Sequence, residues 1–177
     1  MKRAGVLLLL AALAVAAAVP EPDGYRMDDY RAPVPETLRG AEVFHVEAMR
    51  ALIDRHAAVL IDVLPAPRRP SEMRPGIPWM PQPHRTLPGS LWWPEVGRGG
   101  LPPAMEARFR QRLHEVAGDP PRLVVFFCLS DCWMSWNAAK RAASFGLRVG
   151  WFPDGSDAWA AHGLPLQAVQ PERLDED

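Results

Sequence analysis

The chain has 177 residues, with 20 basic and 21 acidic side chains and a formal net charge of −1 at pH 7. No stripe of Lys and Arg stands out, which excludes the electrostatic footprint of a nucleic-acid binder. Hydrophobic residues make up 48% of the sequence, enough to give one domain of this size a core.

The N-terminus reads MKRAGVLLLLAALAVAAAVPEP. Lys2 and Arg3 precede an apolar run over residues 6–15, and Ala16 and Ala18 follow in an A-x-A pattern. This is the layout of a secretory signal over residues 1–18. The apolar run falls short of the roughly 20 residues of a membrane span. The expectation is therefore an exported, periplasmic protein with no membrane partner once the signal is removed.

Residues 19–40 are polar and rich in proline, without periodicity, and read as an irregular arm. AEVFH then alternates as a strand does, and VEAMRALIDRH places Val46, Met49, Leu52 and Ile53 on one helical face. AVLIDV is a continuous apolar run ending near Asp62, the mark of a buried parallel strand. Residues 64–90 hold eight prolines, which remove backbone donors and exclude helix or inner strand. A connection this long is usually functional, and Trp79 and Met80 within it are expected to pack over something.

SLWWP is extended, and PPAMEARFRQRLHEVAG carries a helical stripe through Met105, Phe109, Leu113 and Val116. Proline opens that helix and Gly118 closes it. LVVFF reads as a buried strand, SWNAAKRAASFG as a helix with a small-residue face, RVGWF as a strand and DGSDAWAAHG as a turn and short helix. Residues 171–177 read as a polar tail. Strands alternating with helices over residues 41–163 predict an α/β fold, a parallel sheet flanked by helices on both faces. Ligands of such sheets bind beyond the carboxyl ends of the strands, where Asp62 and Cys128 both fall.

Cys128 and Cys132 are the only cysteines. In an exported chain two cysteines ordinarily form a disulfide. At this strand-to-helix turn the pair is open to two readings, a redox-active couple or a structural bridge closing a very small loop. A metal site is disfavoured, because two thiols fall short of the four ligands of a closed zinc site.

LIDV, HRTLPGSLW, the cysteine after VVFF and DGSDAWAAHGLPL resemble the rhodanese domain in order and spacing over residues 41–168. GYRMDDYRAPVP, LPAPRRP, PGSLWWPEVGRG and CLSDCWMSWNAAKRA resemble, more narrowly, an exported rhodanese-like family named for its CxxxCW motif. That family is associated with catabolism by pyrroloquinoline-quinone-dependent alcohol dehydrogenases.

The resemblance implies a rhodanese-like domain over residues 41–170. It implies a thiolate or persulfide on Cys128, sheltered by the main-chain amides of Leu129, Ser130, Asp131, Trp133 and Met134 at a helix N-terminus. Cys132 is then a resolving thiol or a disulfide partner, Asp62 can orient the loop, and Arg85 can fold over the site from the proline-rich segment. Implied partners are small thiol or sulfur species, or a periplasmic redox protein. No cofactor is specified beyond an unidentified redox cofactor. The loop LSDCWM offers Asp131 and no cation, so strong thiosulfate sulfurtransferase activity is not expected. The second reading is a binding module without turnover, its disulfide structural.

Overall fold

The computed structural model describes residues 18–80 and 82–174, so the segment read as a signal peptide lies, but for Ala18, outside them. In chain order the elements are β1 (Ala41–Val43), α1 (Val46–Asp54), β2 (Ala58–Asp62), β3 (His84–Thr86), β4 (Leu91–Trp92), α2 (Pro103–Ala117), β5 (Leu123–Phe127), α3 (Trp133–Ser144), β6 (Val149–Phe152), α4 (Gly155–Ala161) and β7 (Gln167–Val169). Five strands form one sheet in the order β1–β6–β5–β2–β4, and every pairing is parallel.

The apolar runs lie where a parallel sheet covered on both sides needs them. All five residues of β5 are buried. Side chains alternate between the two faces. Val124 and Phe126 pack with Met105, Phe109 and Leu113 of α2 and with Trp136, Ala138 and Ala139 of α3. Leu123, Val125 and Phe127 pack with Val46 and Met49 of α1 and Trp159 of α4. Each face of the sheet thus carries two helices. Among the described residues no helix is long and apolar enough to cross a membrane.

The arm before β1 forms no helix or ladder, yet it lies across α3 as a strap. Arg26 exchanges two hydrogen bonds with the side chain of Asn137, its amide donating to Oδ1 at 2.9 Å and its carbonyl accepting from Nδ2 at 2.8 Å. The indoles of Trp133 and Trp136 donate to the carbonyls of Pro33 and Thr37 at 3.1 and 3.2 Å. Lys140 donates to the Pro22 carbonyl at 2.6 Å. Nine of the twelve residues of α3 are buried as a result, including Arg141, whose guanidinium sits over the Tyr25 ring at 4.1 Å. Leu38 of the strap joins the core at 4% exposure.

Three sequence expectations are corrected. The proline-rich connection is not wholly without structure, because β3 pairs antiparallel with β7 in a separate ribbon. Met80 packs over nothing and is 88% exposed, whereas Trp79 is half-buried. The start of the segment read as a polar tail is docked. The Glu172 amide donates to the Trp92 carbonyl at 2.8 Å, the Trp93 indole donates to the Glu172 carboxylate at 2.8 Å, and Leu174 is buried.

Candidate functional site

β5 sets the position of Cys128. It continues the alternation of Val124 and Phe126, so its side chain enters the core between the sheet, α2 and α3. Cys132 is the residue before α3 and has extended backbone. The two are joined by a disulfide with Cα atoms 6.3 Å apart, within the ordinary range for such bridges. Cys128 is 0% and Cys132 3% exposed.

The loop between them is held from two sides. From the sheet side, the Ser130 amide donates to Asp157 Oδ1 at 2.7 Å, its hydroxyl reaches the same atom at 2.9 Å, and the Ser156 amide donates to the Cys128 carbonyl at 2.9 Å. Gly155, with φ of 71°, brings the start of α4 against the backbone of Leu129 and Ser130, where a Cβ would collide. From the strap side, Arg31 and Cys132 form an antiparallel bridge, and the Trp133 amide donates to the Tyr30 carbonyl at 2.9 Å. Asp131, at φ 50°, makes the sharp turn between these anchors and stays exposed.

Two amides of the expected cradle already have partners. A free cradle needs unbonded N–H groups facing a sulfur anion. Here the Ser130 amide already serves a carboxylate and the Trp133 amide a carbonyl, and Cys128 presents no thiolate. Trp133 packs beneath the strap. It is 3% exposed, stands edge-on to Trp136 at 5.3 Å and lies under the Arg26 guanidinium at 5.5 Å. Met134 is buried, with Gly97 packed so closely on it that any side chain there would clash. Ser135, in the first turn of α3, is buried. Its hydroxyl donates back to the Cys132 carbonyl at 2.9 Å and accepts the Trp151 indole N–H at 3.0 Å.

Asp62 does not orient the loop. Its side chain lies on the face opposite that of Cys128, since Ile61 and Val63 of the same strand pack with Cys128. Buried completely, its carboxylate accepts from the Thr86 hydroxyl at 2.6 Å, from His84 Nε2 at 2.7 Å and from the Leu64 amide at 2.8 Å. His84 stacks on Trp92 at 4.3 Å and ties β3 to β2 through Asp62. Arg85 does not fold over the disulfide. It donates to the Leu166 carbonyl at 2.7 Å, bracing the β3–β7 ribbon. Arg68 faces Glu95 at 3.5 Å.

Beside the disulfide loop, at the carboxyl ends of β1 and β6, lies a cleft of about 650 Å³. The strap forms one wall through Val34, Pro35 and Glu36, and Ser130 and Asp131 form the floor. His45 and His162 also line it. His45 Nδ1 is 2.8 Å from the Asp154 carboxylate, and that carboxylate also caps α1 by accepting the Val46 amide at 3.1 Å. His162 Nδ1 donates to the Ala158 carbonyl at 2.8 Å. Among the described residues lining this cleft none is Lys or Arg, while Glu36, Asp131 and Asp154 are acidic. Among the described residues no group of three His, Cys, Asp or Glu side chains has the arrangement of a metal site.

Sequence reasoning missed the strap contacts and this cleft. The one local signal was Asn137, a polar residue inside an otherwise small and apolar helical face. Buried side-chain amides need partners, and its partners are Arg26 and the Gly97 carbonyl at 3.0 Å.

No family model and no curated protein matches the chain. Two solved structures are similar to it. One is a thiosulfate sulfurtransferase from Pseudomonas aeruginosa, 23% identical over 76% of this chain with a TM-score of 0.48; the aligned part spans 22% of that protein's length. The other is an uncharacterized protein from Saccharomyces cerevisiae, 21% identical over 70% of this chain and 93% of its own, with a TM-score of 0.40.

Proposed function

We propose that this chain is an exported rhodanese-like binding module, in which a disulfide and a strap lock the loop that a sulfurtransferase leaves open. The observation that carries the reading is the burial of Cys128 at 0% exposure within a disulfide. Sulfur transfer needs an accessible thiolate, and two of the loop amides that would stabilise one, those of Ser130 and Trp133, are already bonded to Asp157 and Tyr30. The rhodanese assignment draws on motif order. LIDV ends β2, the cysteine follows β5 and DGSDAW opens α4. Export to an oxidising compartment such as the periplasm is supported by the A-x-A pattern near Ala18 and agrees with the disulfide.

The ligand site in this reading is the cleft beside the loop, where parallel α/β sheets place their ligands. Its charged lining is acidic, which selects against anionic sulfur donors and for a cationic or hydrogen-bond-donating ligand. The link to quinone-dependent alcohol catabolism rests on the sequence resemblance alone. Pyrroloquinoline quinone is a tricarboxylate, and these side chains do not fit it.

The test is a nuclear magnetic resonance titration of the oxidised protein with guanidinium ion and, separately, with thiosulfate. Shifts confined to Ser130, Asp131 and His45 with guanidinium and none with thiosulfate support the reading. Thiosulfate shifting the amides of Cys128 and Leu129 would overturn it.

A further inference from the structure

We infer that the strap and the Cys128–Cys132 disulfide form a redox-sensitive latch, in which the closed strap shields the disulfide from dithiols and reduction releases the strap from α3. The proposal goes beyond the ligand reading and does not depend on what the cleft takes up.

The strap meets the disulfide at one point. Arg31 bridges Cys132, and the neighbouring Trp133 amide donates to Tyr30. Tyr30, Ala32 and Val34 pack on the apolar cluster that contains both cysteines. A thiolate therefore has no path to either sulfur while the strap is seated. The disulfide in turn fixes the strap's landing place. It ties Cys132 to Cys128, whose carbonyl is held by the Ser156 amide. Once the bond is cut, the start of α3 loses its covalent tie to the sheet, and the bridge to Arg31 loses its rigid partner.

Coupling of this kind is reciprocal. At equilibrium, if seating the strap favours the disulfide over the dithiol, reduction disfavours seating by the same factor. The strap is also suited to open alone. Over residues 18–40 it has no helix or ladder, and it is anchored mostly by side-chain bonds from Asn137, Lys140, Trp133 and Trp136. Segments held this way open with less free energy than global unfolding.

The chemical step is thiol–disulfide exchange with a dithiol as reductant. One thiolate of the dithiol attacks a protein sulfur, the Cys128–Cys132 bond breaks and a mixed disulfide forms. The second thiol displaces the protein sulfur. The dithiol leaves as a cyclic disulfide, two electrons pass to the protein, and the dithiol's two protons end on Cys128 and Cys132.

The experiment follows reduction by dithiothreitol under native conditions, with alkylation and intact-mass readout, in the full mature chain and in Lys140→Ala and Asn137→Ala. Reduction is expected about threefold faster in Lys140→Ala and about tenfold faster in Asn137→Ala, from the loss of one half-buried bond to the strap and of two. Its rate should depend weakly on urea. Lys140→Ala carries the test if Asn137→Ala does not fold. In parallel, hydrogen exchange at the Trp133 amide should quicken on reduction while the β5 amides stay protected. Reduction at rates that Lys140→Ala leaves unchanged, with the full urea dependence of global unfolding, would overturn the latch. So would a Trp133 amide equally protected in both redox states.

Discussion

Arg31 of the strap and Cys132 at the head of α3 face one another as an antiparallel bridge. A helix N-terminus normally leaves amides free for a ligand anion. Here the strap supplies a carbonyl, that of Tyr30, to the first amide of α3. The same contact buries the disulfide and closes the helix end that a sulfur anion needs.

Glu21 ties the two ends of the strap together, its carboxylate accepting from the Thr37 hydroxyl and from the Arg39 amide at 2.9 Å. The Thr37 hydrogen bond is the main reason its carboxyl sits below the ordinary value of 4.5, with the Arg39 amide and the charges of Arg39 and Lys140 adding to it against the effect of burial. A carboxyl lowered in the folded state contributes stability above its unfolded value and loses it as pH falls through the folded one. Protection of the Arg39 amide, relative to its intrinsic exchange rate at each pH, is expected to fall as pH drops below 4.5, and Glu21→Gln should remove that pH dependence.

Asp62 holds three donors in a site that water does not reach. Asp62→Ala leaves the Thr86 hydroxyl buried and unpartnered and is expected to cost about 3 kcal/mol. Urea unfolding of the oxidised protein measures it, and the β3–β7 ribbon should be the first region to lose exchange protection.

Asp157 is the anchor of the disulfide loop on the sheet side, accepting from the Ser130 amide, the Ser130 hydroxyl and the Ala158 amide. Because the group is exposed, Asp157→Ala is expected to cost only about 1 kcal/mol. The diagnostic effect is local, a faster exchange of the Ser130 amide with the core unchanged.

The disulfide closes a loop with a sequence separation of 4, so chain entropy gives it about 2 kcal/mol. Replacing both cysteines by alanine should lower stability in urea by about that amount. A much larger loss would show that the two sulfurs also fill core volume that alanine cannot.

The sheet was legible because its strands are short apolar runs. VLID and LVVFF can only be satisfied by burial on both faces, and the parallel pairing of β2 with β5 follows. The stripe through Met105, Phe109 and Leu113 fixed α2 for the same reason. What stayed hidden depends on contacts between distant residues. β3 and β7 have three residues each and pair across a gap of about eighty positions, with no periodicity to announce them. The strap has the composition of a disordered arm, and only its packing on Trp133, Trp136 and Asn137 orders it. The two cysteines marked the turn between β5 and α3, where the disulfide lies. The sequence left the pair open between a redox couple and a structural bridge, and the groups that close the loop, Tyr30, Arg31 and Asp157, lie far away in sequence.

The most direct measurement is the intact mass of the folded protein after incubation with thiosulfate, in the oxidised form and after reduction by a dithiol, together with thiocyanate release on adding cyanide. The expected result is no added sulfur on the oxidised form, where the disulfide blocks attack, none on the reduced form, where the loop offers thiosulfate Asp131 and no cation, and no thiocyanate above the uncatalysed background. A gain of one sulfur atom mapped to Cys128, with turnover to thiocyanate, would contradict the locked, non-catalytic loop.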